Sequence, residues 1–230
     1  MKYYAPTLLA LMGFAIFVTP FASAQTTPPP VDFDARHDTC LELVSKDAEL
    51  GYEEALIWKG DGGGRRARHC IATALFVLGH EGEAAARLEA MGAEISLGTP
   101  PMRATWLAQS ADFWMEAGEA EFALRAADTA LETVQNNLSA RLIRARAYAK
   151  LGHLDYAEID LTSALTLYPG NVAALRARAD MRRQLGKLSL ASADIEQALR
   201  GEPNSVETAL MRGKIREAIR LAALELETDK

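Results

Sequence analysis

The sequence predicts an all-α solenoid of antiparallel helix pairs, and two observations carry that prediction. Ala (42) and Leu (30) far outnumber Val and Ile, which total 16 in 230 residues. Ala and straight-chain residues suit helices, whereas β-branched residues suit strands. The second observation is a repeat. Gly118, Gly152 and Gly186 lie 34 residues apart, and each is followed five residues later by Ala123, Ala157 or Ala191. Twelve residues after each glycine stands Ala130, Ala164 or Ala198, and seven residues before each stands Ala111, Ala145 or Ala179. Pro169 and Pro203 close the second and third units. Small residues at a fixed period mark helices that must approach closely. The glycine turns one helix into the next and the proline ends the pair.

Composition excludes some classes. With 49% hydrophobic and 24% charged residues, the chain has enough apolar surface to fold, which rules out a disordered acidic tail. A net charge of −6 argues against nonspecific nucleic-acid binding.

Residues 1–24 read as a cleavable secretory signal. Lys2 is the only charge before Asp32, the run from Ala5 to Phe21 is apolar, and Ala22-Ser23-Ala24 precedes Gln25 as an A-x-A site. An uncleaved anchor is the rival reading, but a run of about 17 residues is at the short limit for a span. Residues 25–32, with Pro28, Pro29 and Pro30, form an extended linker. The fold is expected over 33–230. Export would place the protein in the periplasm, or outside the cell, without membrane insertion after cleavage.

Export also sets the state of the cysteines. Cys40 and Cys70 are the only two, so a disulfide is the default in an oxidising compartment. Closing that loop would add about 3–4 kcal/mol in the chain-entropy view. The alternative is a thiolate–imidazole metal site, because His37 and Cys40 share a helix face and His69 precedes Cys70. Against it, neighbours such as His69 and Cys70 diverge by about 100° on a helix.

Residues 34–60 read as one degenerate helical pair. Residues 65–95 read as a variant repeat headed by Gly79, with Ala72 and Ala84 in place and Met91 where the other units carry alanine. Gly79 lies 39 residues before Gly118, and the five extra residues are assigned to the loop Gly98-Thr99-Pro100-Pro101. Units 104–137, 138–171 and 172–205 match one another well. A further first helix over 206–227 has Arg220 where the turn glycine would stand, and is expected to cap the open end.

The run Tyr148-Ala-Lys-Leu-Gly-His-Leu-Asp-Tyr-Ala157, followed by Ala164-Leu-Thr-Leu-Tyr-Pro169, resembles the tetratricopeptide repeat (TPR) family. The likeness covers about 104–203. It implies a right-handed superhelical solenoid whose first helices line a concave groove, and a non-enzymatic scaffold that binds a protein or peptide segment there. It implies no cofactor. Some family members grip a C-terminal carboxylate through a Lys/Asn/Arg clamp, but the asparagines of such a clamp are missing from these first helices.

Charge adds two expectations. Arg144, Arg178 and Arg212 recur at 34-residue steps, as do Asp160 and Asp194. A half-buried arginine needs a carboxylate, so structural Arg–Asp bridges are expected. Their register is open: Arg144–Asp160 and Arg178–Asp194 within a repeat, or Asp160–Arg178 and Asp194–Arg212 between repeats. The first helices of 138–151, 172–185 and 206–219 carry eleven bases and three acids, while the second helices of 119–134, 153–167 and 187–200 carry nine acids and three bases. By the resemblance, Arg146, Lys150, Arg176, Arg183 and Lys214 would face the groove with Asp180 among them, offering a surface for an acidic segment. In the competing reading those bases pair with neighbouring helices. Self-association is left open.

No hydrolase elbow, metalloprotease helix motif or phosphate-binding loop is present. Gly60-Asp-Gly-Gly-Gly64 precedes a helix but lacks the Lys-Ser/Thr that would complete a phosphate cradle. The second functional reading is a ligand- or metal-binding protein centred on His37, Cys40 and Cys70.

Overall fold

The computed structural model describes residues 1–2 and 32–228. The signal and most of the linker therefore lie outside the described residues. From Asp32 onward the chain forms one compact unit of helices with no strand among the described residues. In order these are α1 (Phe33–Lys46), α2 (Ala48–Gly60), α3 (Gly64–Val77), α4 (Glu81–Ala93), a 3-10 turn (Ile95–Leu97), α5 (Pro100–Glu116), α6 (Ala120–Thr133), α7 (Leu138–Lys150), α8 (Leu154–Leu167), α9 (Val172–Gln184), α10 (Leu188–Gly201) and α11 (Val206–Thr228).

Each helix packs on the next. In addition α1 touches α3, α5 touches α7 and α9 touches α11, so the odd-numbered helices share an inner layer. The periodic alanines are the contact points between layers: Ala145, Ala157, Ala164, Ala179, Ala191 and Ala198 are all buried. A larger side chain there would have to push two backbones apart, so the alanine excess is a packing requirement.

The turns explain the glycines. Gly79, Gly118, Gly152 and Gly186 all have positive φ, between 72° and 83°. The residue after each one closes the helix end by donating its backbone N–H five residues back: His80 to Leu75, Glu119 to Trp114, His153 to Tyr148, and Lys187 to Arg182. This left-handed cap suits glycine because it has no Cβ. Helix starts recur too. Asn137 and Asn171 accept the backbone N–H of Ala140 and Ala174, and Ser205 takes the same place before Thr208.

One expectation about the irregular unit is corrected. Pro100 and Pro101 are not loop residues but the first turn of α5. Proline is favoured there because its missing N–H would be unpaired in any case. Most of the extra length goes into α5, which has 17 residues against 13 in α7 and α9.

At the C-terminal end, Val206 to Ala218 occupy the first-helix place of another unit. With Arg220 in place of the turn glycine, α11 runs straight on to Thr228. Gly213 corresponds to the buried Ala145 and Ala179, yet a Cβ built there meets nothing within 4 Å. The face a following helix would cover carries Arg212, Arg216 and Arg220, the polar outer surface a solenoid end requires.

Candidate functional site

The inner layer encloses a groove of about 900 Å³, bounded by α5, α7, α9 and α11. Its floor is apolar: Ala108 from α5, Leu142 and Ile143 from α7, Ala177 and Met181 from α9, and Met211 from α11. Leu210 stands above them and is exposed. Charged groups rim this floor, with Arg146, Arg176 and Lys214 opposed by Asp112, Asp180 and Glu207.

The lining is thus balanced in formal charge, which corrects the expectation of a basic groove. Arg146 donates to Asp112 at 2.7 Å and to Glu116 at 3.1 Å, so a helix of the preceding repeat neutralises it. Arg183 lies outside the lining and turns back onto Asp180 of its own helix at 2.8 Å. Lys150 also lies outside the lining and is exposed. Arg176 approaches Glu207 only at 3.9 Å, and none of the ion pairs among the described residues includes Lys214. The positive character that remains is therefore local, at the α9–α11 end.

No protein-family model matches the sequence, and no curated protein matches it. Solved structures do match. A tetratricopeptide repeat protein from Parabacteroides merdae is 17% identical, with 85% of this chain and 76% of that one covered, at a TM-score of 0.66. A thermophilic TPR protein of Thermus thermophilus is 22% identical, covering 80% of this chain and 98% of that one, at 0.55. The first TPR domain of human RPAP3 is 28% identical, covering 52% of this chain and 94% of that one, at 0.51. The chain has the tetratricopeptide-repeat fold. The groove described above is therefore the concave face of a TPR-like solenoid, lined by its first helices.

Behind the groove, the TPR layers of repeats 138–171 and 172–205 are tied by arginine–carboxylate pairs formed within the repeat. Arg144 reaches both oxygens of Asp160, and Arg178 both oxygens of Asp194. Arg144 also donates to Asp128 of the preceding repeat, where Arg178 meets Thr162 instead. Hydrogen bonds donated to Asp160 and Asp128 push the Arg144 guanidinium pKa well up, against the opposing effect of burial. Arg212, the third step of the ladder, makes no ion pair among the described residues.

The sequence did not single out Arg182, which joins Asp194 at 2.8 Å and Glu158 at 2.8 Å. Burial opposes ionisation of Glu158, but hydrogen bonds from Lys187 and Arg182 outweigh it and hold the carboxyl below its ordinary pKa. These residues break the 34-residue period: Tyr148 stands at the place of Arg182 one repeat earlier. A search for repeated charges therefore passes over them.

In the N-terminal helices the structure has the disulfide that the sequence favoured over a metal site. Cys40 and Cys70 are joined, with S–S 1.97 Å and a Cα–Cα distance of 6.3 Å. Both thiols are consumed, which removes the thiolate ligands that the metal reading required. The two histidines instead bond to each other. His37 Nε2 lies 3.0 Å from His69 Nδ1, and His69 Nε2 lies 2.8 Å from the side-chain oxygen of Gln109 on α5. Both contacts are satisfied when His69 donates through Nε2 and accepts from His37 at Nδ1, which makes His69 the neutral Nε2–H tautomer. Gln109 also lines the groove, so this polar chain runs from α1 to the groove wall.

Proposed function

We propose that this protein is a non-enzymatic, exported interaction scaffold that holds a short peptide or protein segment in its concave groove. The observation that carries this reading is the groove itself: an apolar floor shared by four inner helices, with charges of both signs on its rim. Such a surface suits an amphipathic segment, whose apolar side chains bury against Leu142, Ile143 and Met181. An acidic group on that segment would be placed at the α9–α11 end, near Arg176 and Lys214. The TPR fold supports the reading, because its inner helices present one continuous face along successive repeats.

The proposed setting is the cell envelope, most simply the periplasm. It rests on the signal-like residues 1–24 and on the disulfide, which suits an oxidising compartment. No helix of the described residues is long and apolar enough to cross a membrane.

Selection of peptides from a random display library tests the groove. Enriched peptides should bind the wild-type chain and lose at least tenfold in affinity for Leu142→Glu with Ala177→Glu, while the circular dichroism of that variant stays unchanged. Peptides that bind both proteins equally would place recognition elsewhere. For the setting, cell fractionation combined with intact mass should find the chain beginning at Gln25 outside the cytoplasm. A cytoplasmic chain retaining Met1 or Lys2 would overturn the export proposal.

A further inference from the structure

α11 continues past the position at which a glycine turn ends the other inner helices from α3 onward. The four glycine turns stop the inner helices α3, α5, α7 and α9, whereas α11 passes Arg220 without a turn. Residues 219–228 project as two to three further turns of helix, about 15 Å long at 1.5 Å per residue. Within α11 only Thr208 and Ile215 are buried, and its neighbours are α9 and α10.

The projecting part is apolar on two sides. Ile219, Ala222 and Leu226 continue the line of the buried Ile215. Leu221 and Leu224 fall on the side of Leu210, which faces the groove. Ile219, Leu221, Leu224 and Leu226 are each between 42% and 68% exposed. A helix with apolar residues on two sides is stable when something covers both, as between the walls of a groove. No element among the described residues does so.

The occupied groove cannot be the chain's own. Val206 to Lys214 of α11 form one wall of it, and residues 219–228 continue that same helix beyond the wall. A second copy meets the requirement. The segment offers Leu221 and Leu224 to a floor made of Leu142, Ile143 and Met181, and presents Ile219 and Leu226 on its other side to a groove wall. Its Glu225 and Glu227 suit the end of the groove where Arg176 and Lys214 are the least neutralised bases. Because the segment begins at the wall of its own groove, two copies related by a twofold axis can exchange segments reciprocally, which closes the assembly at a dimer.

We propose that the projecting end of α11 docks in the groove of a second copy, forming a reciprocal dimer that a partner segment must displace. The proposal rests on reading the groove as a peptide site. It adds that the site's first occupant is the protein's own C-terminal helix.

Sedimentation velocity on the chain from Gln25 onward tests this at concentrations from 1 to about 100 μM. The wild type is expected to sediment as a dimer at the upper end. Two variants should each be monomeric there with unchanged helicity: Leu224→Glu with Leu226→Glu in the segment, and Leu142→Glu with Ala177→Glu in the groove. Mixed together, these two variants should form a heterodimer, since one supplies an intact segment and the other an intact groove. A wild type that stays monomeric overturns the proposal. So does a groove variant that still dimerises, which would mean that the α11 helices pair directly, or a mixture that yields no heterodimer. Library-selected peptides that bind a monomeric wild type at the groove would sink self-docking while leaving the peptide site standing. If neither peptides nor segment bind there, the peptide-site reading fails as well.

Discussion

Arg144 holds Asp160 with two parallel hydrogen bonds, from Nε to Oδ2 at 2.7 Å and from Nη2 to Oδ1 at 2.6 Å, across the interface of α7 and α8. Asp160 is only 4% exposed, so its charge depends on that arginine. One repeat later Arg178 and Asp194 form the same fork, but Asp194 also has Arg182 at 2.8 Å. The nearest substitute for Arg144 at Asp160 is Arg141, at 3.7 Å.

That difference predicts unequal costs. Breaking a buried pair strands a charge and typically costs about 3–5 kcal/mol. Arg144→Met is expected to fall in that range. Arg178→Met should cost clearly less, because Arg182 still neutralises Asp194. Guanidinium denaturation midpoints compare the two variants directly. Equal losses would mean that the second arginine contributes nothing.

Two glycines predict effects of opposite sign. Gly152 has a φ of 83°, so Gly152→Ala should destabilise by about 1–2 kcal/mol, the penalty of a left-handed L-residue. Gly213 lies inside α11 with open space beside it, so Gly213→Ala should stabilise by up to about 1 kcal/mol through helix propensity. Thermal melts of both variants check this, and the same sign for both would refute it.

The disulfide spans 30 residues and ties α1 to α3. Cys40→Ser with Cys70→Ser should lower stability by about 3–4 kcal/mol by loop closure. Amide exchange should accelerate first in α1, which packs chiefly on α2 and α3. Uniform acceleration along the chain would instead indicate that the solenoid unfolds as one unit.

The two histidines predict a loss of stability in mild acid. Burial lowers the pKa of His69, partly opposed by its bond to Gln109. Burial also lowers that of His37, with His69 and Arg66 adding to the effect and Asp38 and Asp34 opposing it. Each ring is therefore harder to protonate in the folded chain than in the unfolded one, where the pKa is about 6.5. The unfolded state binds more protons as pH falls below that value, so stability is full above it and declines on the way down. Melting temperature should drop between pH 7.5 and 5.5, and His37→Asn with His69→Gln should flatten that slope. An unchanged slope would assign the pH dependence to other groups.

Glycines at 34-residue steps, alanines beside them and the scarcity of strand formers were enough to read the fold. A left-handed turn admits little but glycine, and a close helix crossing little but alanine. The Arg144–Asp160 and Arg178–Asp194 partners were legible for the same reason, since a buried charge must recur with its counter-charge. Their register was not legible, because both choices satisfied the same spacing.

The sequence by itself determined the helix pairs, their period and the carboxylates that had to be neutralised, all of them local or periodic constraints. Only the tertiary structure decided the charge of the groove. Whether Arg146 faces a ligand or Asp112 depends on a neighbour 34 residues away in the chain, and Arg183 was removed from the lining by Asp180 on its own helix. The tertiary structure also set the histidine pair, which spans 32 residues outside the regular period, and the bare end of α11. Side-chain pairing across layers follows distances and directions in space, and a one-dimensional pattern of charges does not contain them.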